Sequence, residues 1–95
     1  MASINLDQSA SKLAGKKVRY KEAADIRTFE FRRDLGGRFM FKGRESVNPD
    51  MTGVIHNSQH HVKQTQDSED YIHISLDDGA PLEWVLVSDL QALIK

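Results

Sequence analysis

The chain reads as a mainly β domain, with about five or six antiparallel strands built from hairpins and short helices at the two ends. Three observations predict this. Apolar and polar residues alternate over 16–21, 28–42 and 71–87, which is the period of a half-buried strand. Two of those stretches are broken by glycine-bearing turns, the punctuation of hairpins. Helical spacing is confined to 5–14 and 88–94. With 95 residues there is material for one domain, taken as 1–95, and one small core.

The elements follow in order. Leu6, Ala10 and Leu13 fall at i, i+4 and i+7, one face of a helix over 5–14. Asn5 or Asp7 can cap its start, and Gly15 suits a left-handed stop. In Lys16-Lys-Val-Arg-Tyr-Lys, Val18 and Tyr20 share one strand face and the charges take the other. Residues 22–27 read as a loop or one helical turn. Over 28–42, a three-residue loop Asp34-Leu35-Gly36 places glycine where a left-handed residue is needed. Arg33 then pairs with Gly37, Arg32 with Arg38, Phe31 with Phe39, and Phe29 with Phe41. All four phenylalanines land on one face, and a slip by one residue would scatter them. This aromatic sheet is expected to supply half the core.

Residues 42–52 carry Gly43, Asn48 and Pro49 and read as loop, followed by a short strand over Gly53–His56. Residues 57–70 are polar apart from Val62 and read as a mobile loop or a hairpin tip. A second hairpin covers 71–87. A three-residue Asp77-Asp78-Gly79 turn pairs Leu76 with Ala80, Ile74 with Leu82, and Ile72 with Trp84. The two-residue alternative sets Ile74 opposite Glu83 and would bury a glutamate, so the longer turn is expected. Ser88-Asp89-Leu90-Gln91 has the spacing of a capping box and starts a terminal helix that buries Leu90, Leu93 and Ile94.

Composition narrows the function classes. There is no cysteine, hence no disulfide, thiolate metal site or cysteine nucleophile. No apolar run approaches membrane length, and the start lacks the basic and apolar regions of a signal peptide. A cytoplasmic protein with no membrane partner is the simplest expectation. The net charge of −1 conceals a division. Residues 12–44 hold eleven Lys/Arg against four Asp/Glu, and residues 45–95 hold two against nine. Either the basic half attracts an anion, or the two halves meet within the fold or between subunits.

The opening Gly15-Lys-Lys-Val-Arg-Tyr, then Thr52-Gly-Val-Ile, Tyr71-Ile-His-Ile-Ser-Leu-Asp-Asp-Gly and Trp84-Val-Leu-Val-Ser-Asp-Leu together resemble SH3-like small barrels. The likeness covers about two-thirds of the chain and lies at the level of the fold. It implies a small antiparallel barrel that binds peptides, modified tails or nucleic acid. One group with such barrels, the plasmid-borne trimethoprim-resistant dihydrofolate reductases, is an enzyme made by tetramerisation. That group's active-site strand has no convincing counterpart here, so the resemblance transfers no catalytic residue.

Several side-chain groups bear on chemistry. Arg32 opposite Arg38 opposes like charges, a cost that an anion between them would relieve. Lys42 stands at the strand end. Lys17, Arg19 and Lys21 share one strand face beside Lys16, and with the hairpin arginines they could track a phosphate backbone. Carboxylates such as Glu30 between the arginines, or a lysine-protected edge strand, are the plainer explanations. His56 and His60 have helical metal spacing, but they lie in strand and loop, so no metal is assigned. His73 is expected to face Glu83, an ordinary cross-strand pair or part of an acid–base site. Tyr71, Val85 and Val87 around His73 make the outer face of the second hairpin apolar, which calls for cover by the helices or by a partner subunit. No nucleotide loop, dinucleotide fingerprint, nucleophile elbow or zinc-protease motif is present, so no cofactor or catalytic residue is assigned.

Three readings result. The first is a non-enzymatic protein-interaction or assembly module, with a protein partner or itself. The second is a module that binds nucleic acid through the basic half. The third is an oligomeric enzyme whose site forms only between subunits.

Overall fold

The computed structural model describes residues 5, 6, 8–64 and 67–95, with side chains described outside 57–69. Six antiparallel strands form one sheet in the order β1-β4-β5-β6-β2-β3. They are β1 (Lys17–Arg19), β2 (Ala24–Arg32), β3 (Arg38–Val47), β4 (Thr52–Gln64), β5 (Asp67–Ser75) and β6 (Leu82–Leu86). Helix α1 (Ala10–Leu13) precedes the sheet and α2 (Val87–Leu93) follows it. The mainly β, antiparallel expectation with short terminal helices holds. β1 and β3 remain at opposite edges, so the sheet is open and "barrel" describes it only approximately.

The first hairpin has the register the phenylalanines demand, with Arg32 opposite Arg38, Phe31 opposite Phe39 and Phe29 opposite Phe41. A turn of 3-10 helix, Arg33–Leu35, closes it, and Gly36 sits at φ 77°, a left-handed position that costs a residue without Cβ little. Pairing does not stop at Lys42. It continues to Ala24 opposite Val47, so 22–27 is not a loop throughout and 42–47 is strand. Between Thr28/Gly43 and Phe29/Phe41 the register shifts by one, leaving Lys42 as an extra residue, a β-bulge. The bulge turns β3 over. Phe39 and Phe41 lie on the face of Phe29 and Phe31, whereas Val47 lies on the opposite face with Ile26. Thr28, 1% exposed, donates its hydroxyl to the Gly43 carbonyl at 3.1 Å beside the bulge.

The second hairpin corrects the expected register. Tyr71 faces Leu86, Ile72 faces Val85, His73 faces Trp84, and Ile74 faces Glu83. This pairing sets Glu83 beside buried Ile74, a costly place for an unpaired carboxylate. The cost is met from elsewhere: Lys42 Nζ donates to the Glu83 carboxylate at 2.9 and 3.1 Å. The turn spans residues 76–81, with the Ser75 hydroxyl between the carbonyls of Asp77 and Ala80. Of the segment 57–70, the described residues 57–64 and 67–70 are strand. β4 and β5 pair along them down to Gln64 opposite Asp67, the hairpin alternative.

Both helices differ from expectation at their starts. α1 begins at Ala10 with Ser9 before it, and Leu6 is fully buried although it precedes the helix. α2 begins at Val87, one residue before the capping-box serine, and no side chain caps it. Gln91 instead accepts a hydrogen bond from the Leu6 N–H at 2.8 Å, fastening the N-terminal segment to α2. Beyond α2, Ile94 bridges to Tyr20, and the Lys95 N–H donates to the Arg19 carbonyl at 2.9 Å.

The main core lies between one sheet face and the helices. Val18, Tyr20, Ile26, Val47, Ile55, Ile72, Ile74 and Val85 meet Leu6, Leu13, Val87, Leu90 and Ile94 there. Tyr20 is fully buried and donates its hydroxyl to the Leu76 carbonyl at 2.7 Å. Gly53 is required beneath it, since a Cβ there would stand 2.8 Å from the Tyr20 hydroxyl and 2.9 Å from Val18 Cγ2. A smaller cluster of Phe39, Tyr71 and Leu86, joined by Phe29, Phe31 and Trp84, occupies the other face. The phenylalanines thus form a second, minor core rather than half of one.

Candidate functional site

Residues paired across antiparallel strands project to the same face. On the face away from the helices, one row runs His73–Trp84–Phe29–Phe41 across β5, β6, β2 and β3. The His73 and Trp84 rings are parallel, with centroids 4.3 Å apart. Phe29 meets Phe41 edge to face at 6.1 Å and Tyr71 at 5.2 Å. Phe39 stacks on Tyr71 at 3.9 Å. Exposure is uneven: Tyr71 is 3% exposed and Phe39 5%, whereas Phe41, two residues along the same edge strand, is 57% exposed. Leu82, on the same face, is 41% exposed.

Rings stacked on one another have used faces that a flat base-stacking platform would leave open. What remains is an apolar, ridged patch. Burial lowers the His73 pKa from its ordinary 6.5, the nearby His56 ring adds to the effect, and Glu83 opposes it. In the hairpin register His73 pairs with Trp84, not with Glu83 as expected from sequence. Among the described residues no three His, Cys, Asp or Glu side chains stand together as a metal site. The His60 side chain lies outside the described residues.

The cations expected to act together are separated. Lys17 and Arg19 sit on β1 at one edge of the sheet, on the same face as the aromatic row. Lys21 lies just beyond β1, and its N–H donates to the Leu93 carbonyl at 2.8 Å. Arg32 and Arg38 are opposite each other as expected, but three strands lie between β1 and β2. The six residues do not form one strip. Arg32 is engaged by Asp34 at 2.9 and 2.6 Å and by Glu30 at 3.5 Å. The hydrogen bond from Arg32 holds the Asp34 carboxyl below its usual range. Lys42 is the bulged residue, its pKa raised chiefly by the hydrogen bond to Glu83. Arg38 has no carboxylate partner among the described residues.

The expected apolar outer set also divides. Tyr71 and His73 belong to the aromatic face, whereas Val85 is buried under the helices and Val87 is the first, buried residue of α2. The corrected register is the reason.

Two residues escaped the sequence reading. Beyond the bulge, Arg27 and Arg44 are paired directly opposite each other, on the aromatic face. They line a cleft of about 390 Å³ with Asp25, Ile26, Asp89, Ala92 and Leu93, where α2 overlies the end of the β2–β3 ribbon. Arg27 donates to both Asp89 oxygens at 3.1 and 3.4 Å and lies 5.9 Å from the Phe29 ring centre. Continuing the first hairpin past Lys42 with one extra residue would have revealed the pair.

Compared with known proteins, the chain matches no family model, no curated protein and no solved structure. Among the described residues no helix is long and apolar enough to cross a membrane.

Proposed function

We propose that the chain is a non-enzymatic protein-interaction module and that it docks an acidic, apolar segment of another protein. The observation that carries this is the aromatic row ending in Phe41, 57% exposed on an edge strand. Burying the exposed half of a phenylalanine returns roughly 1 kcal/mol. The β3 edge beside it offers ten residues whose outer side pairs with no other strand among those described, so a peptide can add there as a further strand. Lys17, Arg19, Arg27 and Arg44 share the aromatic face. The carboxylates beside the patch are already engaged, Asp25 by Ser46 and Asp89 by Arg27. Of these cations Arg44 lies on β3 itself and has no carboxylate partner among the described residues, which favours an acidic partner.

The long open edge favours one second reading, pairing of β3 with β3 of another copy. Binding of nucleic acid is the remaining competitor, weakened by the separation of the cations and by the stacking of rings on one another. One experiment separates the three. A displayed library of short peptides is selected on the immobilised protein, with Phe41→Ser as the counter-target. Alongside it, sedimentation and oligonucleotide anisotropy over a salt series are recorded. Enrichment of acidic, apolar peptides that Phe41→Ser no longer retains supports the proposal. A stable dimer, or oligonucleotide affinity that falls steeply with salt, replaces it. No enrichment also overturns it.

A further inference from the structure

We infer that the Arg27–Arg44 cleft is a binding site for a carboxylate carried on a short apolar body. Two arginines placed directly opposite each other repel. Arg27 is relieved by Asp89, which fixes its guanidinium across the cleft. Arg44 is exposed and has no carboxylate partner among the described residues. Its planar fork is free to take both oxygens of a carboxylate. Leu93 and Ala92 of α2 line the rest of the cleft, an apolar wall for the body of such an acid.

Charge selects the ligand class. The cleft contains two arginines and two aspartates, so it is formally neutral. A monocarboxylate leaves it at −1, whereas a phosphate dianion would leave it at −2. The Asp25 carboxylate, which accepts from the Ser46 hydroxyl at 2.9 Å, borders the same space and disfavours the higher charge. A docked polypeptide is not required, so failure here leaves the proposed docking role standing, and the reverse also holds.

The test is titration of ¹⁵N-labelled protein with sodium hexanoate, with hexanamide as the neutral twin and inorganic phosphate as the rival anion. A capped leucine-rich peptide with one glutamate distinguishes an acidic side chain from a free acid. The expected result is saturable shifts at residues 25–27, 44 and 89–93 with hexanoate and no such shifts with hexanamide. The dissociation constant should be on the order of 1 mM, the range of a single charge-assisted contact. Arg44→Gln should weaken it by about tenfold or more, the loss expected for one hydrogen bond to a charged group. Arg44 is exposed, so the variant's spectrum should otherwise match that of the parent. Stronger binding of phosphate, equal response to hexanamide, or unchanged affinity in Arg44→Gln would each overturn the assignment. If the capped peptide binds tighter than hexanoate, the carboxylate comes from a polypeptide; if weaker, from a free acid.

Discussion

One sheet presents two faces that are finished differently. The first is aliphatic, and α1, α2 and the residues after α2 close over Ile26, Ile55, Ile72, Ile74 and Val85. The second is aromatic; α2 reaches only its Arg27 end, through Asp89, and its rings include buried Tyr71 and Phe39 and exposed Phe41. The edges differ as well. β1 has three residues, two of them cationic, and the C-terminal residues bond to it. β3 has ten residues and pairs only with β2. Stability is concentrated on the closed face, and opportunity for contact on the open face and the long edge.

The sharpest way to break this contrast is to delete Lys42. Without the extra residue, either Val47 leaves the first face or Phe39 and Phe41 leave the second. Loss of cooperative unfolding in a denaturant titration is expected; an unchanged transition would show that the bulge does not hold the two faces apart. Next, Ile74→Ala should cost about 2–5 kcal/mol, the range for truncating a buried aliphatic side chain. Phe41→Ala should stay within about 0.5 kcal/mol, as exposed substitutions usually do. Similar costs for both would mean the second face is as closed as the first.

Two pH experiments probe the faces separately. On the first face, burial, assisted by Asp77, pushes the Tyr20 pKa from 10.0 up to about 12. The folded state then holds the proton more tightly than the unfolded one. Stability is whole below pH 10 and falls as the pH rises toward 12. Tyr20→Phe should flatten that decline in an alkaline denaturation series. At neutral pH it should cost about 1–3 kcal/mol by stranding the Leu76 carbonyl. On the second face, the His73 pKa is lowered from 6.5. The unfolded state binds the proton first, so stability is whole above pH 6.5 and declines as the pH falls through the folded-state value. His73→Gln should remove part of the acid-side slope between pH 7.5 and 5. That effect is the smaller of the two, because the imidazole is only half-buried.

What the sequence could convey depended on how local each constraint was. The register of the first hairpin was legible because Gly36 and four phenylalanines, all within a few residues, admit one solution. The second hairpin was misread because Glu83 looked unpaired, and its partner Lys42 is 41 residues away. Gln91 has the spacing of a capping residue, but its actual partner, Leu6, is 85 residues away. The Arg32–Arg38 pair was visible, yet Asp34 and Glu30 already occupy Arg32. Arg27–Arg44 was hidden because a single extra residue separates it from the readable part of the hairpin.

Lys42 also makes the length of β3 matter as a reading frame matters. Residues on its two sides serve opposite faces, so adding or removing one residue between Phe39 and Val47 throws one side out of phase, while a change of two restores it. Variants that keep this fold should therefore alter that segment in even steps, or let the extra residue migrate along the strand while remaining single.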